Sequence, residues 1–458
     1  MQALGATGVA GLSACGAAPE APSLGRSTSR ISDGYSDQQS YRPGDRVTLF
    51  LNARFPFLNT RFPRVRLYDY GGRIVYHEFV ADLFAQQAVG PEPWETGFGY
   101  RESATFTLPR LRSGVYLVEG IVPLIVKYTP PGELPSKKAD IVILYPTNTV
   151  AAYNAAGGRS MYSRPTPAPI VSFKRPVGDE ANLAFFNAFL EWFASIQLPY
   201  SLGYVADIDL EDYSEIADAK LLVVIGHSEY WTRRARENFD QFVRRGGNVL
   251  LLSGNNMWWQ VRYSDDRSQL ICYKRAPDPI GNPLLKTVNW TESILDYPTL
   301  PSVGADFPHG GFGIVSPEFD GFRVLSPESP AFCGLSVESG NVLGIRTEEY
   351  DGAPLLNNPV TLGQPQLDFG ALGAYRAEII GYQCCSRNEE DTGRTNVADN
   401  VGTWIAYQRT ATSGVVMNGA STNWCSFTGV FGPDSFRVRR VILNMIEILV
   451  TGQSAFAS

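Results

Sequence analysis

The sequence predicts an α/β protein: an N-terminal immunoglobulin-like β-sandwich, then a doubly wound α/β domain with a long irregular insertion. Three observations carry this. Residues 41–128 hold short alternating apolar stretches separated by Gly and Pro turns, the pattern of a sandwich. From residue 139 the period changes, and apolar runs alternate with helical segments as far as residue 450, the order of a doubly wound sheet. Between 257 and 410 that alternation gives way to Pro, Gly, Trp and Asp, and these residues are expected to form an insertion over the sheet's active edge.

At 458 residues the chain is long enough for two or three domains. Hydrophobic residues at 44% and charged residues at 19% describe a globular protein with ample core. A net charge of −7 and no basic stripe argue against a nucleic-acid partner. The histidines are His77, His227 and His309, and there is no CxxC. A His-rich or structural zinc site is therefore excluded, and any metal must rely on oxygen ligands. The cysteines Cys272, Cys333, Cys384, Cys385 and Cys425 show no readable pairing.

The stretch Met1–Cys15 is small and mildly apolar and ends Leu12-Ser13-Ala14-Cys15. It resembles a bacterial lipoprotein box, so residues 1–40 are expected to be an export signal and tether, with a lipid anchor at Cys15 as the membrane contact. No apolar run reaches the ~18 residues of a membrane-spanning helix.

In chain order, the sandwich strands are expected at Val47–Leu51, Val65–Tyr68, Ile74–Phe79, Ser103–Leu108 and Val115–Val122. Ser113-Gly114-Val115-Tyr116 is the usual entry to a last strand, with Tyr116 packing on it. In the second domain, Ile141–Leu144 is a strand, followed by the Gly-rich stretch Ala151–Ser160. A helix over Glu180–Ser195 presents Leu183, Phe186, Phe189, Leu190 and Phe193 on one face, and Tyr200–Val205 is the next strand. The centre of the domain is Val223–Asn256. There the runs Leu221–Ile225 and Val249–Leu252 flank a helix carrying Ala235, Phe239, Phe242 and Val243, stopped at Gly246-Gly247: a βαβ unit. Short strands are expected in the insertion at Gly321–Leu325 and Ala377–Gly381. Gly414–Asn418 resumes the sheet, and an Asp434–Val450 helix closes it.

Ligands of open α/β sheets bind beyond the carboxyl ends of the strands. Those ends carry His227, Ser228 and Glu229 after one strand, and Ser253, Asn255 and Asn256 after the next. The first reads Gly-His-Ser-Glu-Tyr rather than a nucleophile elbow. No glycine-rich phosphate loop is present. Oxygen chemistry remains. Glu229, just past a buried strand, needs a compensating partner; a metal ligand and a helix N-terminal acid both satisfy that. His227 reads as a hydrogen bonder in a ligand shell or as a loop residue. Tyr153 is a large side chain among Ala and Gly, either a site residue or a wall aromatic. Asn255 suits orienting a carbonyl or filling a turn. Lys274 is a surface cation unless the insertion folds back.

The phrases AYNAAGGRSMY, DIDL, GHSEYW, RRGGNVLLLSGNNMWWQVR, CYK and VVMNGASTNW, in this order, resemble the large subunit of bacterial N,N-dimethylformamidases, in their C-terminal region, over roughly residues 40–450. The resemblance implies a sandwich followed by a glutamine-amidotransferase-like, flavodoxin-like α/β domain. It implies hydrolysis of dimethylformamide to dimethylamine and formate on a mononuclear non-haem iron held by two Tyr and one Glu. Carried over by motif, the iron ligands are Tyr116, Tyr153 and Glu229. His227, Asn255 and Lys274 then face the substrate or support the ligands, and an acid of Glu348-Glu349-Tyr350-Asp351, Glu349 before the others, matches a further active-site Glu. Phenolate and carboxylate are hard donors, suited to Fe(III). Ala155-Ala156 stand where the family is expected to be bulkier, so the substrate is expected to be another small N-substituted amide, and the assembly state, homo-oligomer included, is open. A competing class is a non-catalytic cell-envelope protein that holds a glycan or peptide on Trp258, Trp259, Trp290 and Trp424; a third is a redox enzyme on the same iron.

Overall fold

The fold is described from a computed structural model, over residues 31–54, 64–79, 83–129, 138–178, 182–314, 319–357, 363–387 and 397–457. The Cys15 motif, the tether as far as residue 30 and Glu180 lie outside the described residues. The tether expected to reach residue 40 ends earlier. Ile31–Ser36 is a strand paired antiparallel with Arg46–Ala53, because Ile31, Gly34 and Tyr35 turn inward.

Two sheets face each other at the N-terminal end. One contains Ile31–Ser36, Arg46–Ala53 and Ala104–Thr107. The other runs Ser40–Tyr41, Val122–Val126, Gly114–Val118, Arg64–Tyr68, Ile74–Phe79. The alternation read from the sequence is the burial pattern: Val47, Leu49, Leu51 and Ala53 point inward along one strand. They meet Val65, Leu67, Tyr116, Val118, Leu124 and Val126 from the opposite sheet. The expected strand Val115–Val122 is instead a hairpin. It breaks at Glu119 and Gly120, whose φ angles of 50° and 76° make the turn.

Among the described residues the main sheet has nine strands. Five are parallel, in the spatial order Leu202–Ala206, Ile141–Tyr145, Leu221–His227, Asn248–Gly254, Val415–Asn418. Numbered by appearance, that order is 2-1-3-4-5, which places a switch point between Ile141–Tyr145 and Leu221–His227. Four antiparallel strands continue the sheet: Asn400–Gln408, Arg376–Cys385, Phe322–Val324 and Val342–Leu343. All four fall within 257–410. That stretch is therefore not only a cover over the sheet; about half of the sheet's width is built from it. Phe322–Val324 and Arg376–Cys385 cover the short strands expected at Gly321–Leu325 and Ala377–Gly381; what the sequence does not show is that they join the main sheet, because their connections are long and irregular and leave no alternating period.

The central strands are buried on both faces and so read as continuous apolar runs. Ile141, Ile143, Leu221, Val223, Ile225 and Leu252 point to one side, against Phe189 and Phe193 of the helix Asn187–Ala194 and Val438, Ile442 and Met445 of the helix Ser435–Thr451. Val142, Leu144, Leu222, Val224 and Leu251 point to the other, against Ala235, Phe239 and Phe242 of the helix Arg233–Arg244. Each fully buried Phe or Leu contributes about 1.5–3 kcal/mol to these layers. Thr232 caps the Arg233–Arg244 helix by accepting from the Ala235 amide at 3.2 Å. Gly246, at φ 92°, ends it. The helix expected over Glu180–Ser195 begins only at Asn187: Asn182 is left-handed at φ 60°, and Leu183–Phe185 is a single 3₁₀ turn. All five described cysteines are free thiols.

The N-terminal sheets are joined to the main sheet by polar contacts. Lys127 reaches Asp209 at 2.8 Å and Glu215 at 3.1 Å, and Arg42 reaches Glu215 at 2.6 Å. Ser113 Oγ accepts from the Tyr204 amide at 2.8 Å on the sheet's edge strand.

Asp207, 3% exposed, fixes the helix Thr147–Tyr153 by accepting from the Asn148 amide at 2.7 Å and the Thr147 hydroxyl at 3.2 Å. Burial pushes its carboxyl up from 3.8 to about 7, against the pull of those donors. The folded state thus binds a proton that the unfolded state releases, between the two values. This group makes stability fall as pH rises through that window, by at most about 1.4 kcal/mol per pH unit. We expect Asp207→Asn to remove that slope. Urea unfolding at pH 4 and pH 8 checks it: the variant should gain on the wild type at the higher pH, and a constant difference contradicts the assignment.

Candidate functional site

The site lies beyond the carboxyl ends of the two strands that flank the switch point. Near the end of Leu221–His227, Gly226 has a φ of 72° and turns the chain in a way other residues resist. His227, Ser228 and Glu229 follow, each exposed by no more than 2%. The backbone of Glu229 is fixed on both sides. Its amide donates to Thr149 Oγ1 at 3.0 Å, from the helix after the neighbouring strand, and its carbonyl accepts from the Trp259 amide at 2.9 Å.

The Glu229 carboxylate is held by two phenols. Tyr153 donates to Oε2 at 3.0 Å, and Tyr162 donates to Oε1 at 2.6 Å. The two rings stack with centroids 4.0 Å apart. Tyr230 donates to the Tyr162 oxygen at 2.8 Å. His227 Nε2 stands 3.6 Å from Glu229 Oε2 and 3.2 Å from Glu349 Oε2, aligned for a hydrogen bond with neither. Its Nδ1 faces the Asn182 amide at 3.2 Å. Where that amide donates, the neutral ring keeps its proton on Nε2, between the carboxylates. Asn255 donates from Nδ2 to Glu349 Oε2 at 2.9 Å. Asn256 bonds Asp351 at 2.6 Å, tying the end of the Asn248–Gly254 strand to the Glu349–Gly352 strand. Lys274 donates to the Met161 carbonyl at 3.2 Å and lies 3.5 Å above the Tyr162 ring.

Charge in this buried space is balanced locally. Burial raises the Glu229 carboxyl, and His227 and Lys274 oppose it. Burial works to lower the His227 imidazole, but Glu349 and Glu229 outweigh it, and the net shift is upward. Burial lowers the Lys274 ammonium, with Glu229 opposing. Burial first, and then the Glu229 charge, hold Tyr153, Tyr162 and Tyr230 well above an ordinary phenol, so all three are protonated donors here.

Of the residues singled out in the sequence, Tyr153, His227, Glu229, Asn255, Lys274 and Glu349 converge. Lys274 does so because the segment after Gln269–Ile271 folds back over the site. Tyr116 does not join them. Its hydroxyl donates to the Arg112 carbonyl at 2.8 Å, and its ring packs in the core between the N-terminal sheets. Tyr116 and Val118 share the face of Gly114–Val118 that turns to this core, while Val115 and Leu117 take the other. The second phenol on the Glu229 carboxylate is that of Tyr162. It stands at the end of the AYNAAGGRSMY phrase, so the signal was present in the residues already noted. Asn182 and Tyr230 were also not anticipated. Of the four Trp residues, Trp259, Trp290 and Trp424 are 8%, 1% and 0% exposed and Trp258 is half-buried, so they do not form an exposed aromatic surface.

Two phenol oxygens and a carboxylate aimed at one another are a hard, oxygen-only donor set. They fit a hard trivalent cation, whose charge would compensate three deprotonated ligands. Among the described residues no group of three His, Cys, Asp or Glu could hold a metal ion; the tyrosines are what complete this set. A cavity of about 500 Å³ lies elsewhere, lined by Tyr145, Val150 and Ala151 together with Gln39 and Lys127, and includes none of the Glu229 cluster.

Fold and site together define a protein with an α/β sheet whose switch point carries a carboxylate bridged by phenols. The chain matches the family described as N,N-dimethylformamidase beta subunit-like, C-terminal, over residues 77–428, and it belongs to that family. No curated protein matches it. Among solved structures it is similar to a ThuA-like protein from Bacteroides uniformis ATCC 8492, at 10% identity and a TM-score of 0.35, covering 72% of this chain and 98% of that one.

The two tyrosine assignments are separable. With Fe(III) added to purified protein, Tyr162→Phe should weaken retention of the ion at least about tenfold, whereas Tyr116→Phe should retain it like the wild type. Equilibrium dialysis with metal analysis reads both; the opposite order would return Tyr116 to the site.

Proposed function

We propose that this chain is an amide hydrolase that cleaves a small N-substituted amide, formamide-like in size, with water as the nucleophile. The observation that carries this is the facing arrangement of Glu229, bridged by Tyr153 and Tyr162, and Glu349, held by Asn255, with His227 between them. Membership of the dimethylformamidase-like family supports it. Tyr153, Tyr162 and Glu229 would hold a ferric ion, which when bound supplies Lewis acidity that acidifies water and polarises a carbonyl.

The remaining chemistry is that of the chain's own residues. Glu349 accepts the proton of the attacking water as the C–O bond forms; its carboxylate is kept in orientation by the Asn255 amide. His227 Nε2–H donates to the oxygen that gains charge at the tetrahedral carbon. The C–N bond then breaks, and the proton taken by Glu349 passes to the departing amine nitrogen. Burial of His227 and Glu229 excludes bulk water, which strengthens these interactions. In this reading the paired N-terminal sheets are an immunoglobulin-like domain, and the main sheet is a flavodoxin-like, amidotransferase-like domain.

A panel of N-alkyl formamides and acetamides, with detection of the released amine, tests the proposal. Amine should appear without oxygen or reductant, and Glu229→Gln should lower kcat/KM by at least about 100-fold. A need for oxygen or reductant would turn the reading to a redox enzyme. Full activity in Glu229→Gln would remove Glu229 from the reaction.

A further inference from the structure

The two phenols that hold Glu229 differ in their surroundings. Tyr162 receives two positive influences. The Tyr230 hydroxyl donates to its oxygen at 2.8 Å, and the Lys274 ammonium lies 3.5 Å over its ring. Tyr153 is stacked on Tyr162 and faces His227, with ring centroids 5.5 Å apart. Tyr230 itself has no exposure, and the strand Tyr230–Thr232 pairs with Trp259–Tyr263, so its hydroxyl is held in place by the fold rather than by solvent. Its ring meets that of Tyr162 edge-on at 6.5 Å, which leaves the hydroxyl as the point of contact. Lys274 is 5.5 Å from the Tyr230 ring and 5.2 Å from Trp259, so the ammonium is fixed among three aromatic faces.

A phenol oxygen that donates its proton to Glu229 still has lone pairs, and Tyr230 occupies one of them. When the Tyr162 proton is replaced by a cation, the Tyr230 donor remains. A hydrogen bond to an anionic oxygen is among the strong ones, and it withdraws electron density that the oxygen would otherwise give to the cation. The ammonium over the ring acts in the same sense.

We propose that Tyr230 is a positioning and tuning residue. Through its hydrogen bond to the Tyr162 oxygen it makes the two tyrosine donors inequivalent, Tyr162 the weaker donor to a bound cation and Tyr153 the stronger. This rests on the reading of Tyr153, Tyr162 and Glu229 as cation ligands. The asymmetry leaves the cation more electron-poor, and therefore a stronger polariser of a carbonyl, than two equal phenolates would.

The test is spectroscopic, on the full-length protein loaded with Fe(III). Resonance Raman excitation of the phenolate-to-iron band of the wild type should show two C–O stretches, only one of which moves when water is replaced by D₂O. In Tyr230→Phe the charge-transfer band should move to lower energy and the Fe(III)/Fe(II) midpoint should fall, with iron content unchanged. Two coincident stretches, or two that respond equally to D₂O, overturn the proposal without any variant. An unmoved band and midpoint in iron-loaded Tyr230→Phe overturn it as well. Absence of a phenolate band from wild-type protein given Fe(III) is a different failure, that of the ligand reading itself.

Discussion

A carboxylate with 1% exposure at the end of a buried parallel strand is the constraint around which this site is built. Left alone, Glu229 would cost several kcal/mol in such a place. The structure compensates it from several directions: phenol donors on both oxygens, an imidazole beside it and an ammonium behind the tyrosine layer. The phenols come from the helix Thr147–Tyr153 and the loop after it, and the ammonium from the segment after Gln269–Ile271, so the carboxylate fixes how those segments sit against its own strand end. Any cation placed there meets donors already converged, which lowers the ordering cost of binding.

The topology explains why these segments meet. The strands Ile141–Tyr145 and Leu221–His227 are neighbours, but their connections leave in different directions, which opens a crevice between them. The helix carrying Tyr153 leaves from the first, Glu229 from the second, and Asn255 from the adjoining Asn248–Gly254 strand. The sheet's antiparallel extension serves the same place. Glu349 reaches it on a strand that pairs with Asp306–Phe312 and lies against Asn400–Gln408. The stretch 257–410 thus both builds the sheet and brings Lys274 and Glu349 to the candidate site.

Much of this was legible in the sequence, for reasons that differ by element. The parallel strands were readable because burial on both faces forces continuous apolar runs, as in Leu221–Ile225 and Val249–Leu252. The helix Arg233–Arg244 was readable from its period and its Gly stop. Glu229, His227 and Asn255 stood out because polar groups at strand ends are the general location of ligands. In the antiparallel half, short strands were legible at Gly321–Leu325 and Ala377–Gly381, but their place in the main sheet was not, since Phe322–Val324 and Val342–Leu343 are short and pair with residues far apart in the chain. Tyr116 and Tyr162 show the limit most plainly. Both are tyrosines after apolar residues, and only the direction of Gly114–Val118 and the fold of the Ala155–Met161 loop decide which one faces Glu229.

Glu229, Tyr153 and Tyr162 are proposed to act as one oxygen-donor set. Anomalous diffraction at the iron edge, from crystals of protein grown with Fe(III), addresses that directly. A single strong peak within bonding distance of Glu229, Tyr153 and Tyr162, with His227 outside that distance, is the expected result. A peak at His309 and Asp306, one on Tyr116, or no peak near Glu229 would contradict it.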